Sequence, residues 1–185
     1  RAHTHTMRVK FKFPQMDLDA WPDLKLSQYK VQAEGIDKPI AELIVAQQGD
    51  GPRVLTYWKN STNEILYNLD RKPSELSALA AVIGKHAPKD ALILSWWDTS
   101  RQIKLLTGHD TLFTSHLNEP LMVPVAWLEQ SKAIMAYENQ FWESSANSKE
   151  QEQFKRFSQA LAASAEEGVA QLRELIGSNR EAYLI

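Results

Sequence analysis

The sequence predicts a mixed α/β fold: a central mixed sheet with an antiparallel N-terminal part, an α/β crossover around residues 74–115, and long C-terminal helices packed on the sheet. Three observations carry that reading. Alternating apolar and polar residues, rich in β-branched and aromatic types, fill the first third. An uninterrupted apolar run bracketed by helical patterns occupies the middle, and apolar residues at three- and four-residue steps fill the last third. With 185 residues, 43% of them apolar, the chain can bury one sizeable core or one core plus a helical appendage. It therefore reads as a single domain over 1–185, mostly β over 8–72, crossing over at 73–118, helical over 121–177 and ending in a strand at 181–185.

Taken in order, residues 1–6 have no signal-peptide hydrophobic region and read as an expression tag, a linker or a trimmed juxtamembrane segment, so His3 and His5 carry little weight. Strands are expected at 26–33, 39–48 and 53–60, separated by Gly35-Ile36-Asp37 and by Gln48-Gly49-Asp50-Gly51-Pro52. Such short gaps favour antiparallel pairing. A fourth strand at 63–70 follows Asn60-Ser61-Thr62, which fits an N-glycosylation acceptor but is better read as turn chemistry.

Ser74 can cap a helix that carries Leu76, Leu79, Ala80 and Ile83 on one face, with Gly84 as its stop. The apolar run 88–97 has the signature of a central strand buried on both faces. Helical spacing resumes from Thr99 to Thr107 through Ile103 and Leu106, Gly108 closes it, and a strand at 111–115 completes the crossover. One helix is expected over 125–143 and a longer one over 148–176, the latter carrying Phe154, Phe157, Leu161, Ala165, Val169, Leu172 and Leu175. A stripe at that spacing is ordinarily core; partner surface is the other reading. The apolar end at 181–185 is either a strand docked in a sheet or a cut edge.

Composition excludes several functions. The 21 Lys+Arg against 23 Asp+Glu leave a formal charge of -2 and no basic stripe, so a nucleic-acid partner lacks its electrostatic footprint. With no cysteine there are no disulfides, thiol nucleophiles, Cys-ligated zinc, iron–sulfur clusters or covalently attached c-type haem, and no cofactor is expected. No apolar run approaches the roughly 18 to 20 residues of a bilayer-spanning helix.

The stretch 94-LSWWDTSRQ-102 is the leading candidate for a site. Strand alternation places Trp96 and Trp97 on opposite faces, so one can be core while the other walls a pocket. Asp98 stands where a helix begins, and N-capping alone would explain it. Strand-to-helix corners at the carboxyl end of a sheet are also frequent ligand sites, which nominates Trp96, Trp97, Asp98, Arg101 and Gln102 as ligand- or partner-binding residues. Imidazoles at His86, His109 and His116 lie on segments around the same corner, and His109, Asp110 and His116 are the candidate metal ligands. Taken singly, each histidine reads more readily as a loop or partly buried structural residue than as a ligand. The spacing from His109 to His116 is not a recognised ligand motif, and the chain has no H-E-x-x-H, phosphate-cradling glycine loop or nucleophile elbow.

From 21-WPDLKLSQYKVQAEGIDKPIAELIVAQQGDGP-52 through 92-LILSWWDTSRQIKLLTGHDTLFTSHL-117 the whole chain resembles the periplasmic part of the HaoB family of hydroxylamine-oxidation accessory proteins. In ammonia oxidisers the genes of that family sit beside that of hydroxylamine oxidoreductase. The resemblance implies an N-terminal membrane anchor outside these residues and a periplasmic location. It also implies a role supporting hydroxylamine oxidation. The leading expectation is a non-catalytic accessory module that contacts hydroxylamine oxidoreductase or its cytochrome electron-transfer partners, or assists maturation, through the corner at Trp96, Trp97 and Asp98 and the long C-terminal helix. The alternative is a metal- or small-ligand-binding enzyme domain using His109, Asp110, His116 and Asp98.

Locally, Ser95-Trp96-Trp97-Asp98 with Gln102-Ile103, Gly108 and Thr111-Leu112 is similar to the tryptophan-tryptophan-aspartate motif of the oligosaccharyltransferase catalytic subunit. That likeness departs at Thr99-Ser100, where the family carries tyrosine-glycine. It implies a shared corner and peptide recognition rather than glycosyl transfer, which needs a multi-pass membrane domain with metal-binding carboxylates.

Overall fold

A computed structural model describes residues 3–7, 21, 23–32, 41–60, 73–116, 128–129, 131–142, 147–177 and 179–185. The chain divides into two compact units, one made of Arg1–Leu79 with Glu119–Glu143 and the other of Ala80–Asn118 with Ser144–Ile185.

In the first unit β1 (His3–Met7), β2 (Leu24–Gln32), β3 (Ala41–Gln48) and β4 (Val54–Asn60) form an antiparallel sheet in chain order. The turn between β3 and β4 works through glycine. Gly49 takes φ 54°, Gly51 donates its N–H to the Gln48 carbonyl at 3.0 Å, and the Gln47 amide reaches back to the Gly51 carbonyl at 2.8 Å. Alternation then sends Leu43, Val45 and Leu55 inward, where they pack with Trp142 from the end of α3 (Ser131–Trp142) and with partly buried Tyr29 and Phe141. Arg53 closes that helix end, donating to the Phe141 carbonyl at 2.6 Å and lying 5.3 Å from the Phe141 ring centroid.

Two expectations change in this unit. Part of the stretch 1–6, expected as tag or linker, lies with Met7 in β1, which pairs from His3 with Gln32 to Met7 with Gln28. The helix expected over 125–143 begins only at Ser131, after a short 3-10 turn at 128–129. The strand expected at 63–70, the Gly35-Ile36-Asp37 turn, and Ser61 and Thr62 lie outside the described residues.

Helix α1 (Pro73–His86) crosses the division between the units and buries Leu76, Ala80 and Ile83 along one face. It starts one residue before Ser74, because proline is preorganised for the first helical position. It also runs through Gly84 to His86, closing with the Ala87 N–H on the Ile83 carbonyl at 2.9 Å. One glycine costs a helix only about 1 kcal/mol, too little to end it where hydrogen bonding continues.

The second unit contains β5 (Leu92–Leu94), α2 (Trp97–Thr107), β6 (Asp110–Thr111), α4 (Ser148–Ala162), α5 (Ala165–Ile176) and β7 (Ala182–Leu184). Its sheet has the order β6-β5-β7, with both outer strands parallel to a buried β5. The α/β class and the docked C-terminal strand hold, and the buried central strand holds over Leu92–Leu94 only, shorter than the expected 88–97 because the chain turns before it and enters α2 after it. The antiparallel and parallel parts, expected in one mixed sheet, are two sheets among the described residues.

Strand β6 is shorter than the expected 111–115, since the Thr111 hydroxyl bonds the Phe113 carbonyl at 3.0 Å and turns the chain locally. The helix expected over 148–176 is broken after Ala162. Ser164 there accepts the Glu167 N–H at 3.3 Å and donates to the Glu167 carboxylate at 3.0 Å, a side-chain cap that starts α5. The apolar spacing runs across the break because α5 packs on α4. A Cβ on Gly168 would lie 2.5 Å from the Ala160 carbonyl oxygen, so the close approach requires glycine.

Candidate functional site at the carboxyl end of the parallel sheet

After Leu94 the chain leaves the central strand and enters α2 within two residues. The first helical bond runs from the Ser100 N–H to the Trp96 carbonyl at 2.8 Å, which makes Trp96 the N-cap, with φ -57° and ψ 152°. Asp98, expected at the cap, lies inside the first turn. The correction follows from the backbone: the helix starts at Trp97, one residue before Asp98. Asp98 still serves the helix start, since its Oδ1 accepts the Thr99 N–H at 2.7 Å and the Thr99 hydroxyl at 3.2 Å.

The adjacent indoles have opposite fates, as expected, although the reason is the turn into α2 and not strand alternation, since β5 ends at Leu94. Trp97 is 6% exposed and meets the His116 ring edge-on at 5.7 Å, whereas Trp96 is 43% exposed. Trp96 rests on α4, with ring centroids 4.8 Å from Phe154 and 6.5 Å from Phe157, and both phenylalanines pack on buried Phe113. Its indole is thus backed by an aromatic platform and open on its other side.

Beneath Trp96 the corner is polar and closed. Ser95, Asp98, Thr99, Ser100, Arg101 and Gln102 are all buried. The hydroxyls of Ser95 and Ser100 lie 2.8 Å apart, and Ser100 also donates to the Ser95 carbonyl at 3.0 Å. Arg101 donates through Nη1 to His116 Nδ1 at 3.0 Å. A guanidinium can only donate, so His116 accepts at Nδ1 and, when neutral, carries its proton on Nε2. Burial first, and the Arg101 charge second, lower the His116 pKa to about 3. Burial lowers Arg101 to about 10, against a partly compensating pull from Glu150.

Glu150 escaped the sequence reading. It is buried in the first turn of α4, where Asn147 caps the helix by accepting the Glu150 N–H at 2.9 Å. The Glu150 carboxylate turns away from its own helix and accepts the N–H groups of Thr114 and Ser115 at 2.6 and 2.9 Å. The signal available was Asn147 followed three residues later by glutamate, the pattern of a helix start. That pattern locates the cap and says nothing of the distant amides.

The candidate metal ligands are not brought together. His109 is buried with Nε2 at 3.1 Å from the Pro88 carbonyl, His116 faces Arg101, and Asp110 is exposed. Asp110 bonds Arg180 at 2.8 Å and lies 3.9 Å from Lys104, and the Arg180 bond holds its carboxyl below the usual range. Among the described residues no group of three His, Cys, Asp or Glu side chains could hold a metal ion. The fourth imidazole, His86, lies exposed in the last turn of α1.

The corner therefore presents one half-exposed indole over a buried polar interior. A family model described as HaoA-associated protein HaoB matches residues 2–185. The chain belongs to the HaoB family. No curated protein and no solved structure matches it. HaoB is named for its association with HaoA, which makes the chain one of a family of accessory proteins in nitrification. Among the described residues of this HaoB chain no helix is long and apolar enough to cross a membrane.

Proposed function

We propose that this chain is a periplasmic, non-catalytic accessory protein that supports hydroxylamine oxidation by binding hydroxylamine oxidoreductase, HaoA, or its cytochrome partners. An N-terminal anchor outside these residues would hold it at the inner membrane. The observation that supports the reading is the family match over residues 2–185, which includes the Trp96 corner and the helix α4 behind it.

Trp96 is the contact residue of choice. A large indole fixed from behind by Phe154 loses little side-chain freedom on binding, which is the property of an interface anchor. Trp97, Asp98, Arg101 and Gln102 then act beneath it as the scaffold that sets its position. With a formal charge of -2 the chain has no strong field to steer a partner, so the association is driven by apolar contact and depends weakly on salt.

Isothermal calorimetry and pull-down with purified HaoA, and separately with its cytochrome partners, test the reading. Saturable association with either supports it. Absence of association with both overturns it.

A further inference from the structure

Helix α5 leaves open a face that its sequence equips for packing. Ala165, Val169, Leu172 and Ile176 recur at steps of four, three and four residues and so line one side of the helix. Among the described residues of α5 only Gly168 is buried, while Leu172 and Ile176 are half-buried and Val169 is 49% exposed. Helix α4 covers one flank of that stripe, the flank marked by the approach of Gly168 to Ala160 and by the Arg156 bond to Glu174 at 3.0 Å. Counted round the helix, Glu166 and Arg173 fall on the opposite flank. Both are exposed, and neither side chain is paired among the described residues.

This face is complementary to itself. Its apolar steps read the same in both directions, so a second α5 laid antiparallel on the first sets Ala165 against Ile176 and Val169 against Leu172 of the other copy. The same arrangement brings Glu166 of each copy beside Arg173 of the other, two opposite-charge pairs on the flank that α4 leaves open. Stripe and charge therefore select one occupant, another copy of this chain. We propose that two copies associate about a twofold axis through antiparallel pairing of α5. A contact of one 12-residue helix per copy is smaller than the roughly 800 Å² per partner of a standard interface, so the dimer is reversible and depends on concentration. It is independent of the association with HaoA.

Sedimentation velocity of the full chain, at concentrations rising to millimolar, should show the mass climbing from one chain towards two. Val169→Glu places a charge in the middle of the stripe and should weaken association at least about tenfold, with the circular dichroism spectrum and denaturation midpoint little changed. Glu166→Lys sets like charges beside Arg173 of the other copy at both ends and should weaken it about threefold to tenfold. Glu166→Lys combined with Arg173→Glu restores opposite signs and should recover the dimer. Both of those substitutions oppose the helix dipole, so a variant that merely weakened α5 would be worse in combination, not rescued. A chain that stays monomeric throughout overturns the proposal. Dimerisation unaffected by Val169→Glu overturns it by moving the interface elsewhere, and unfolding of Val169→Glu does so by showing that the chain's own residues cover α5. A combined variant no better than Glu166→Lys alone overturns the antiparallel pairing.

Discussion

The antiparallel sheet closes over Leu43, Val45, Leu55 and Trp142, whereas the corner of the parallel sheet closes over Ser95, Asp98, Thr99, Ser100, Arg101, Gln102 and His116. An apolar core is held by volume, and its failures are cavities. A buried polar corner is held by partners, and its failures are charges or amides left without them. The two regions should therefore break in different ways, one insensitive to pH and the other governed by it.

The largest effect is expected in the apolar region. Trp142 is buried among Leu43, Val45 and Leu55, and Trp142→Ala should cost about 3–5 kcal/mol in a denaturant titration. The loss should be the same at neutral and mildly acidic pH. A cost below about 1 kcal/mol would mean that this sheet does not depend on the packing described.

The polar corner should reveal itself through acid. His116 stays neutral in the fold down to about 3, while in the unfolded chain it protonates near the ordinary imidazole value of 6.5. Between those values the unfolded state holds one more proton, so stability is full above pH 6.5 and falls progressively as pH drops towards 3. At about pH 4.5 the loss should be roughly 2–3 kcal/mol from this group. In His116→Asn, where an amide oxygen can take the place of Nδ1 before Arg101, most of that slope should vanish. An unchanged slope would assign the acid sensitivity elsewhere.

A smaller effect tests helix packing. Gly168→Ala places a methyl group 2.5 Å from the Ala160 carbonyl oxygen, so α4 and α5 must separate. The expected cost is about 1–3 kcal/mol. Because α4 carries Phe154, the change should also alter the fluorescence of Trp96. Neutral stability with an unchanged spectrum would show that the approach can relax.

The same contrast explains what could be read from the sequence. Period-two alternation reports burial directly, so the strands at 26–33, 39–48 and 53–60 reappear as β2, β3 and β4 with ends shifted by about two residues. Gly108 closes α2 at φ 72°, its N–H on the Lys104 carbonyl, as a C-terminal glycine should. The opposite burial of Trp96 and Trp97 agrees with the expectation but not with its reason, because β5 ends at Leu94 and the two indoles stand at the N-cap and first position of α2. Partners distant in sequence were not legible. Glu150 meets Thr114 and Ser115 across 36 and 35 positions, and no spacing encodes that pairing. The cap was misplaced because the capping residue type is Asp98, while the helix begins beside an indole that cannot cap.

That misplaced cap gives the smallest expected change in stability and the clearest separation of scaffold from surface. Trp96 occupies an N-cap position without any side-chain cap bond. Aspartate there should add about 0.5–2 kcal/mol to the helix, while deletion of a half-exposed indole removes its contact with Phe154. The two terms oppose, so Trp96→Asp should leave the denaturation midpoint nearly unchanged. Its effect on HaoA binding should be at least about tenfold, the usual consequence of removing an aromatic anchor. A folded, equally stable Trp96→Asp chain that binds HaoA as before would make the indole a neutral surface residue and move the interface away from this corner. Large destabilisation would place Trp96 with the core, on the Trp142 side of the contrast.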